Sequence, residues 1–205
     1  MINDRFHVKK KLGEGRSKVF LCSDTSFPGK DIAIKILPNQ ADEQEVQAFK
    51  EEFFTLRNLN HPNIIKVNEI GTIVKLNSDE QELTGGSKFF TLEYCDGVNL
   101  LQFPGLKKEE ILKEIITQLS SVLYYLHQSN YIYYDLKVEN ILASTINNKP
   151  VIKMIDMGLA GHIKLKNELS VRGTAEYLAP EILKKEPFDL QGHSPANSID
   201  RVVRG

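Results

Sequence analysis

The sequence predicts an α+β fold in two parts. The first reads as short strands with one helix, and the second opens on a long amphipathic helix. Three observations predict it. Short segments of alternating apolar and polar residues dominate the first half, one helical period interrupts them, and beyond Pro104-Gly105 the pattern changes to a long amphipathic helix. In order, a strand starts near Phe6 and carries Lys9-Lys10-Lys11, read as a solvated face. Val19-Phe20-Leu21-Cys22 reads as a second strand, and Asp31-Ile32-Ala33-Ile34-Lys35-Ile36 alternates as a third. Asp42 with Glu45 forms a capping-box pattern. Val46, Phe49, Phe53 and Leu56 then recur at helical spacing as core positions. Residues 77–87, polar and containing Gly85-Gly86, separate two further strands as a hairpin insertion.

The helix after Pro104-Gly105 runs from 108 to about 128. Its apolar face is Ile111, Leu112, Ile115, Ile116, Leu119, Val122, Leu123 and Leu126. Further on, Ile141-Leu142 and Val151-Ile152-Lys153-Met154-Ile155 flank Asn147-Asn148, a hairpin signal. The hairpin brings Asn140 and Asp156 close together. Ser194-Pro195-Ala196-Asn197-Ser198 reads as a loop.

Composition bounds the function. The 205 residues are 41% apolar and 26% charged, with a net charge of −1, as expected of a globular protein. Near-neutral charge gives no case for nucleic acid or membrane attraction. Cys22 and Cys95 are far apart and suggest neither a disulfide framework nor a zinc site, which fits a reducing compartment. No apolar stretch is long enough to span a bilayer, and Met1-Ile2-Asn3-Asp4-Arg5 lacks the apolar core of a signal peptide. Cytoplasm or nucleus is the expected location.

The run Tyr133-Tyr134-Asp135-Leu136-Lys137-Val138-Glu139-Asn140-Ile141-Leu142 carries the most chemistry. A carboxylate can accept a proton, an ammonium can hold a phosphate and a carboxamide can hold a divalent metal. Phosphoryl transfer from a nucleotide needs these parts together. Alone the run could be a polar surface loop. Matching pieces lie in order on both sides of it. Gly13-Glu14-Gly15-Arg16-Ser17-Lys18-Val19, Ala33-Ile34-Lys35, Glu52, His61-Pro62-Asn63-Ile64 and Leu92-Glu93-Tyr94-Cys95 precede it. Asp156-Met157-Gly158 and Gly173-Thr174-Ala175-Glu176-Tyr177-Leu178-Ala179-Pro180-Glu181 follow. In order and in kind, over residues 6–205, these motifs resemble the eukaryotic-type protein kinases.

The resemblance implies a two-lobed kinase-like α+β fold, with residues 1–94 as the small lobe, an antiparallel β-sheet with one helix, and 95–205 as a mainly helical, incomplete large lobe. It implies ATP and Mg2+ as cofactors and a protein serine or threonine as substrate. Asp135 is then the catalytic base, and Lys137 neutralises charge on the transferred group. Thr174 would bond both of them. Lys35, held by Glu52, contacts the phosphates. Asn140 and Asp156 hold the metal. Gly13, Gly15, Val19, Ala33, Lys35, Glu93 and Cys95 contact the nucleotide. Glu52 is preferred over Glu51 because the family pattern puts the paired acid nine residues before His61, and helical neighbours point about 100° apart. Lys137 and the Gly-Thr-Ala-Glu run resemble serine/threonine rather than tyrosine kinases, and Leu159 resembles members that favour serine. Glu139 resembles an acid that contacts substrate arginine, whereas its companion place, after the hinge-like run Leu92-Glu93-Tyr94-Cys95, holds Asn99.

The sequence departs from the family in several places. The glycine loop lacks its third glycine. Either Lys18 occupies that place, or the loop is one residue short and Val19 covers the adenine. Tyr133-Tyr134 stand where the family usually has His-Arg. A phenol at Tyr134 cannot pair with an activation-loop phosphate as a guanidinium does, so activity is expected not to depend on phosphorylation of Ser170. Met157 replaces the usual Phe and fills the same apolar gap. Asp200-Arg201-Val202-Val203-Arg204-Gly205 resembles the start of the large lobe's central helix, with Asp200 at the anchoring aspartate, which implies an incomplete large lobe. The apolar helix face would then lack cover and call for a partner. The competing readings are a kinase-like module that binds nucleotide or a partner without transferring phosphate, and a fragment of a longer product.

Overall fold

The fold comes from a computed structural model that describes residues 1–77, 83–133, 136–158 and 160–162. The chain divides into two compact units, Met1–Asn58 with Lys66–Tyr94, and Leu59–Ile65 with Cys95–Gly205.

The first unit is a five-stranded antiparallel sheet with one helix. In chain order come β1 (Phe6–Glu14), β2 (Lys18–Asp24), β3 (Asp31–Leu37), α1 (Glu43–Asn58), β4 (Val67–Thr72) and β5 (Lys88–Glu93). The strand order is β1-β2-β3-β5-β4, so β5 enters between β3 and β4. Strand alternation sorts β3 into two faces. Ile32, Ile34 and Ile36 join a core with Phe6, Phe20 and Phe89. Ala33, Lys35 and Leu37 belong to the opposite face, because successive side chains of a strand alternate.

The capping box expected at Asp42 and Glu45 is present. Glu45 N donates to Asp42 Oδ1 at 2.8 Å, and Asp42 N donates to Glu45 Oε2 at 3.2 Å. Phe49, Glu52, Phe53 and Leu56 form the buried stripe of α1. Phe49 and Phe53 lie against Phe90 of β5, with ring centroids at 4.7 and 5.8 Å. In the insertion, Gly86 has φ +87°, and a Cβ there would come within 2.8 Å of Asn39 Oδ1. Residues 78–82 lie outside the described residues.

A polar tie closes the first unit at one end. Arg5 Nε and Nη2 donate to Asp24 at 2.9 and 2.7 Å, and Nη1 donates to Glu69 at 3.0 Å. Asp24 is only 4% exposed. The Arg5 guanidinium holds the Asp24 carboxyl below its ordinary value of 3.8. A carboxyl lowered on folding adds stability above its unfolded value, and that stability is lost as pH falls from there toward the folded value. Melting temperature is therefore expected to fall on acidification through that range. An Asp24→Asn chain, less stable at neutral pH, should lose less over the same interval. A pH series of thermal melts on both chains checks this, and parallel curves would reject it.

The second unit holds β6 (Val98–Asn99), a 3₁₀ turn (Leu100–Gln102), α2 (Glu109–Gln128) and β7 (Tyr131–Tyr133). A second 3₁₀ turn (Val138–Asn140), β8 (Ile141–Ile146), β9 (Lys149–Met154) and β10 (Ala160–His162) follow. The strands make two sheets, β6-β8-β9 and β10-β7. The expected hairpin is a two-residue loop in which Ile146 pairs with Lys149. Asn147 and Asn148 take φ +50° and +63°, the left-handed pair that a primed turn needs and that asparagine tolerates.

Helix α2 packs against β7 and β9. Of its apolar face, Ile115, Leu119, Val122, Leu123 and Leu126 are buried. Ile111, Leu112 and Ile116 are half-buried. The face expected to want cover is thus largely covered. Segment Leu59–Ile65 adds an arm beside β9. Met154 N donates to Asn63 O, Ile65 N donates to Met154 O, and Asn63 Nδ2 donates to Ile152 O. Gln118 of α2 completes the edge, accepting from Ile152 N and donating to Pro150 O.

Candidate functional site

In the first unit, Lys35 Nζ lies 2.5 Å from Glu52 Oε1, with the two side chains 15% and 8% exposed. The register explains the lysine. Lys35 pairs with Val19 on one side and Phe90 on the other, and Ala33 pairs with Leu21 and Leu92. Directly paired residues share a face, so Val19, Ala33 and Lys35 lie on the same face of the sheet as Phe90. The Lys35 ammonium stands 5.8 Å over the Phe90 ring, the ring on which α1 rests. Glu52 follows Phe49 by three residues and precedes Leu56 by four, which sets an acid inside the apolar stripe of α1. Glu51 is exposed and accepts from Gln47.

The loop between β1 and β2 is short, with Glu14 paired to Lys18. A Cβ added at Gly13 or Gly15 would meet nothing within 4 Å, and neither residue has positive φ. Neither packing nor backbone conformation within the chain demands glycine there. Glu93 ends β5, and its Oε1 accepts from Lys66 N at 3.0 Å. Cys95, half-buried at the start of the second unit's longer segment, accepts from Gly97 N through its carbonyl at 3.0 Å. A Cβ on Gly97 would approach the Ala143 carbonyl oxygen to 2.9 Å, so glycine lets this stretch lie directly on β8.

In the second unit, Asn140 and Asp156 are drawn together. Ile155 N donates to Asn140 O at 2.9 Å. The Tyr133 hydroxyl donates to Asp156 O at 2.9 Å, and Asn140 Nδ2 donates to the same hydroxyl at 3.0 Å. The Asp156 carboxylate accepts from Gly158 N at 2.8 Å, a local turn that fixes its rotamer. Met157 is fully buried beside it, filling the apolar place expected of it. Lys137 precedes the 3₁₀ turn and accepts from Asn140 N through its carbonyl. Asn99 holds the turn from outside. Its Nδ2 donates to Val138 O at 3.1 Å, and its Oδ1 accepts from Leu101 N. Glu139 is exposed.

Asp135, Tyr134, Leu159, Ser170, Thr174 and Asp200 lie outside the described residues, as does the run from Gly173 to Glu181. Sequence reasoning missed two residues that organise the candidate residues of the second unit. Asn99 stood only as a place without its acid, and Tyr133 only as a family substitution. Both act through carbonyls and amides distant in sequence, for which periodicity carries no signal.

The residues fit a hard divalent cation. Asp156 offers a carboxylate and Asn140 a carboxamide oxygen, and Mg2+ takes few protein oxygens when phosphates supply others. No helix among the described residues is long and apolar enough to cross a membrane.

Comparison with known proteins gives one consistent result. The protein kinase domain family matches residues 6–193. The chain is 31% identical over 195 residues to serine/threonine-protein kinase ATG1c of Arabidopsis thaliana, covering 90% of this chain and 24% of that protein. It is 32% identical over 189 residues to calcium-dependent protein kinase 5 of Plasmodium falciparum, covering 89% and 31%. It is 30% identical over 201 residues to serine/threonine-protein kinase cds1 of Schizosaccharomyces pombe, covering 93% and 41%. The chain therefore spans less than half the length of these relatives.

Proposed function

The chain belongs to the protein kinase domain family, and from that premise we propose that it transfers the γ-phosphoryl group of ATP to a serine or threonine hydroxyl of a protein substrate. The observation that carries the reading is the Lys35–Glu52 contact at 2.5 Å. A largely buried ion pair is a weak source of stability, because desolvation offsets the attraction. Its place on the face of the sheet that carries Val19 and Ala33, close in register to glycines that the chain's own packing does not need, supports a nucleotide phosphate as the third member.

In this reading Lys35, held by Glu52, meets the phosphates, and backbone amides around Gly13 and Gly15 approach them closely. Val19 and Ala33 offer apolar contact to the base, and Glu93 and Cys95 meet its edge. Asn140 and Asp156 hold magnesium. What magnesium supplies when bound is neutralisation of phosphate charge. Asp135 orients the acceptor hydroxyl and takes its proton. Lys137 offsets charge on the transferred group, and Thr174 braces both. The lysine at 137 and the serine/threonine kinases among the relatives support a serine or threonine acceptor.

The second reading is a kinase-like module that binds nucleotide or a partner without transfer. It draws on Tyr134, which stands where the family carries arginine. Phosphate transfer to a generic protein substrate separates the two. Asp135→Asn is expected to slow transfer by about a hundredfold or more. Equal background rates from both chains would leave the module reading.

A further inference from the structure

We propose that Tyr133 is a positioning residue that decides which atom of the Asn140 carboxamide is offered to the cation. The inference rests on Asn140 being a cation ligand. The two side chains are buried, Tyr133 at 5% exposure and Asn140 at 7%. Proton accounting settles the arrangement. A phenol carries one hydrogen and lone pairs on its oxygen. The Asp156 main-chain carbonyl can only accept, so the Tyr133 hydrogen is committed to it, at 2.9 Å. The same phenol oxygen lies 3.0 Å from the Asn140 amide, and there it must accept. Only the NH2 of a carboxamide can donate. Asn140 Nδ2 therefore faces Tyr133, and Oδ1 is turned away from it.

This matters because the two ends of a carboxamide are nearly the same in shape and opposite in function. Oδ1 has lone pairs for a hard cation, whereas the NH2 has none to give. The main chain already fixes where Asn140 sits, through Ile155 N to Asn140 O and Asn140 N to Lys137 O. Neither bond distinguishes the two rotations of the amide. The phenol does, and it does so while tied to the main chain of Asp156. One hydroxyl thus sets the orientation of one ligand and the backbone position of the other. Phenylalanine at 133 would keep the ring and its packing and lose both this instruction and the tie to Asp156 O.

The test is a titration of Mn2+, a hard divalent probe, into the full chain with ADP, reading free Mn2+ by electron paramagnetic resonance. Tyr133→Phe is expected to melt cooperatively at a somewhat lower temperature and to bind Mn2+ about tenfold more weakly, the lower end of what removing a ligand's hydrogen-bond partner costs. Asn140→Asp makes both terminal atoms oxygen, so rotation no longer matters. In that background Tyr133→Phe is expected to add no further weakening. Equal Mn2+ affinity for the native and Tyr133→Phe chains overturns the inference while leaving the cation site standing. The same tenfold loss in the Asn140→Asp background also overturns it, by assigning the effect to the Asp156 tie. A native chain that holds no Mn2+ with ADP overturns both this inference and the metal assignment beneath it.

Discussion

A Lys35→Met chain is expected to lose stability and phosphate transfer together, and a Lys35→Met/Glu52→Leu chain to regain only the first. The pair joins β3 to α1 at 2.5 Å, with both side chains largely out of water. Removing the ammonium leaves the Glu52 carboxylate among the apolar residues of the α1 stripe without its opposite charge. Breaking one side of a buried pair costs about 3–5 kcal/mol. Replacing both members with apolar side chains is near neutral or stabilising. Leu at 52 would extend the stripe of Phe49, Phe53 and Leu56. The chemistry does not return with the packing, because a thioether brings no positive charge to a phosphate. Transfer should stay depressed by about a hundredfold or more in both variants, the scale of losing one preorganised charge contact. Denaturant unfolding and initial rates on the same preparations read the two effects separately. A double variant that recovered transfer would remove Lys35 from the chemistry.

Phe90→Ala should give the largest loss of stability of any single truncation in the first unit, about 3–5 kcal/mol. The ring is fully buried on β5, an inner strand of the sheet. It meets Phe49 at 4.7 Å and Phe53 at 5.8 Å, so it is the surface on which α1 rests. It also lies 5.8 Å from the Lys35 ammonium. Truncation therefore opens a cavity under the helix that carries Glu52. Transfer is expected to fall even under conditions where the chain stays folded, because α1 can settle and carry Glu52 away from Lys35. Phe90→Leu, which keeps much of the apolar volume, should lose clearly less of both. A loss under about 1 kcal/mol for Phe90→Ala in denaturant unfolding would mean that α1 is held by other contacts.

Local chemistry made several features legible without coordinates. The reciprocal bonds of Asp42 and Glu45, the stripe of α1, the alternation of β3 and the turn at Asn147-Asn148 all rest on contacts within four residues. Over such distances, residue type and spacing determine the geometry directly. The family was legible as well, because its motifs are short runs whose order survives in one dimension, and the protein kinase domain match bears it out.

Only the tertiary structure decided who meets whom. Lys35 and Glu52 are 17 residues apart, Tyr133 and Asp156 are 23 apart, and Asn99 and Val138 are 39 apart. Periodicity assigns a side chain to a face and says nothing of the partner across from it. The partner depends on strand register, on the angle at which a helix settles and on which main-chain groups a neighbouring segment leaves unpaired. For the same reason α2 read as an apolar face in want of a cover, while the fold buries most of it. Tyr133 read as a substitution, and the fold sets its hydroxyl between Asp156 O, to which it donates, and Asn140 Nδ2, from which it accepts.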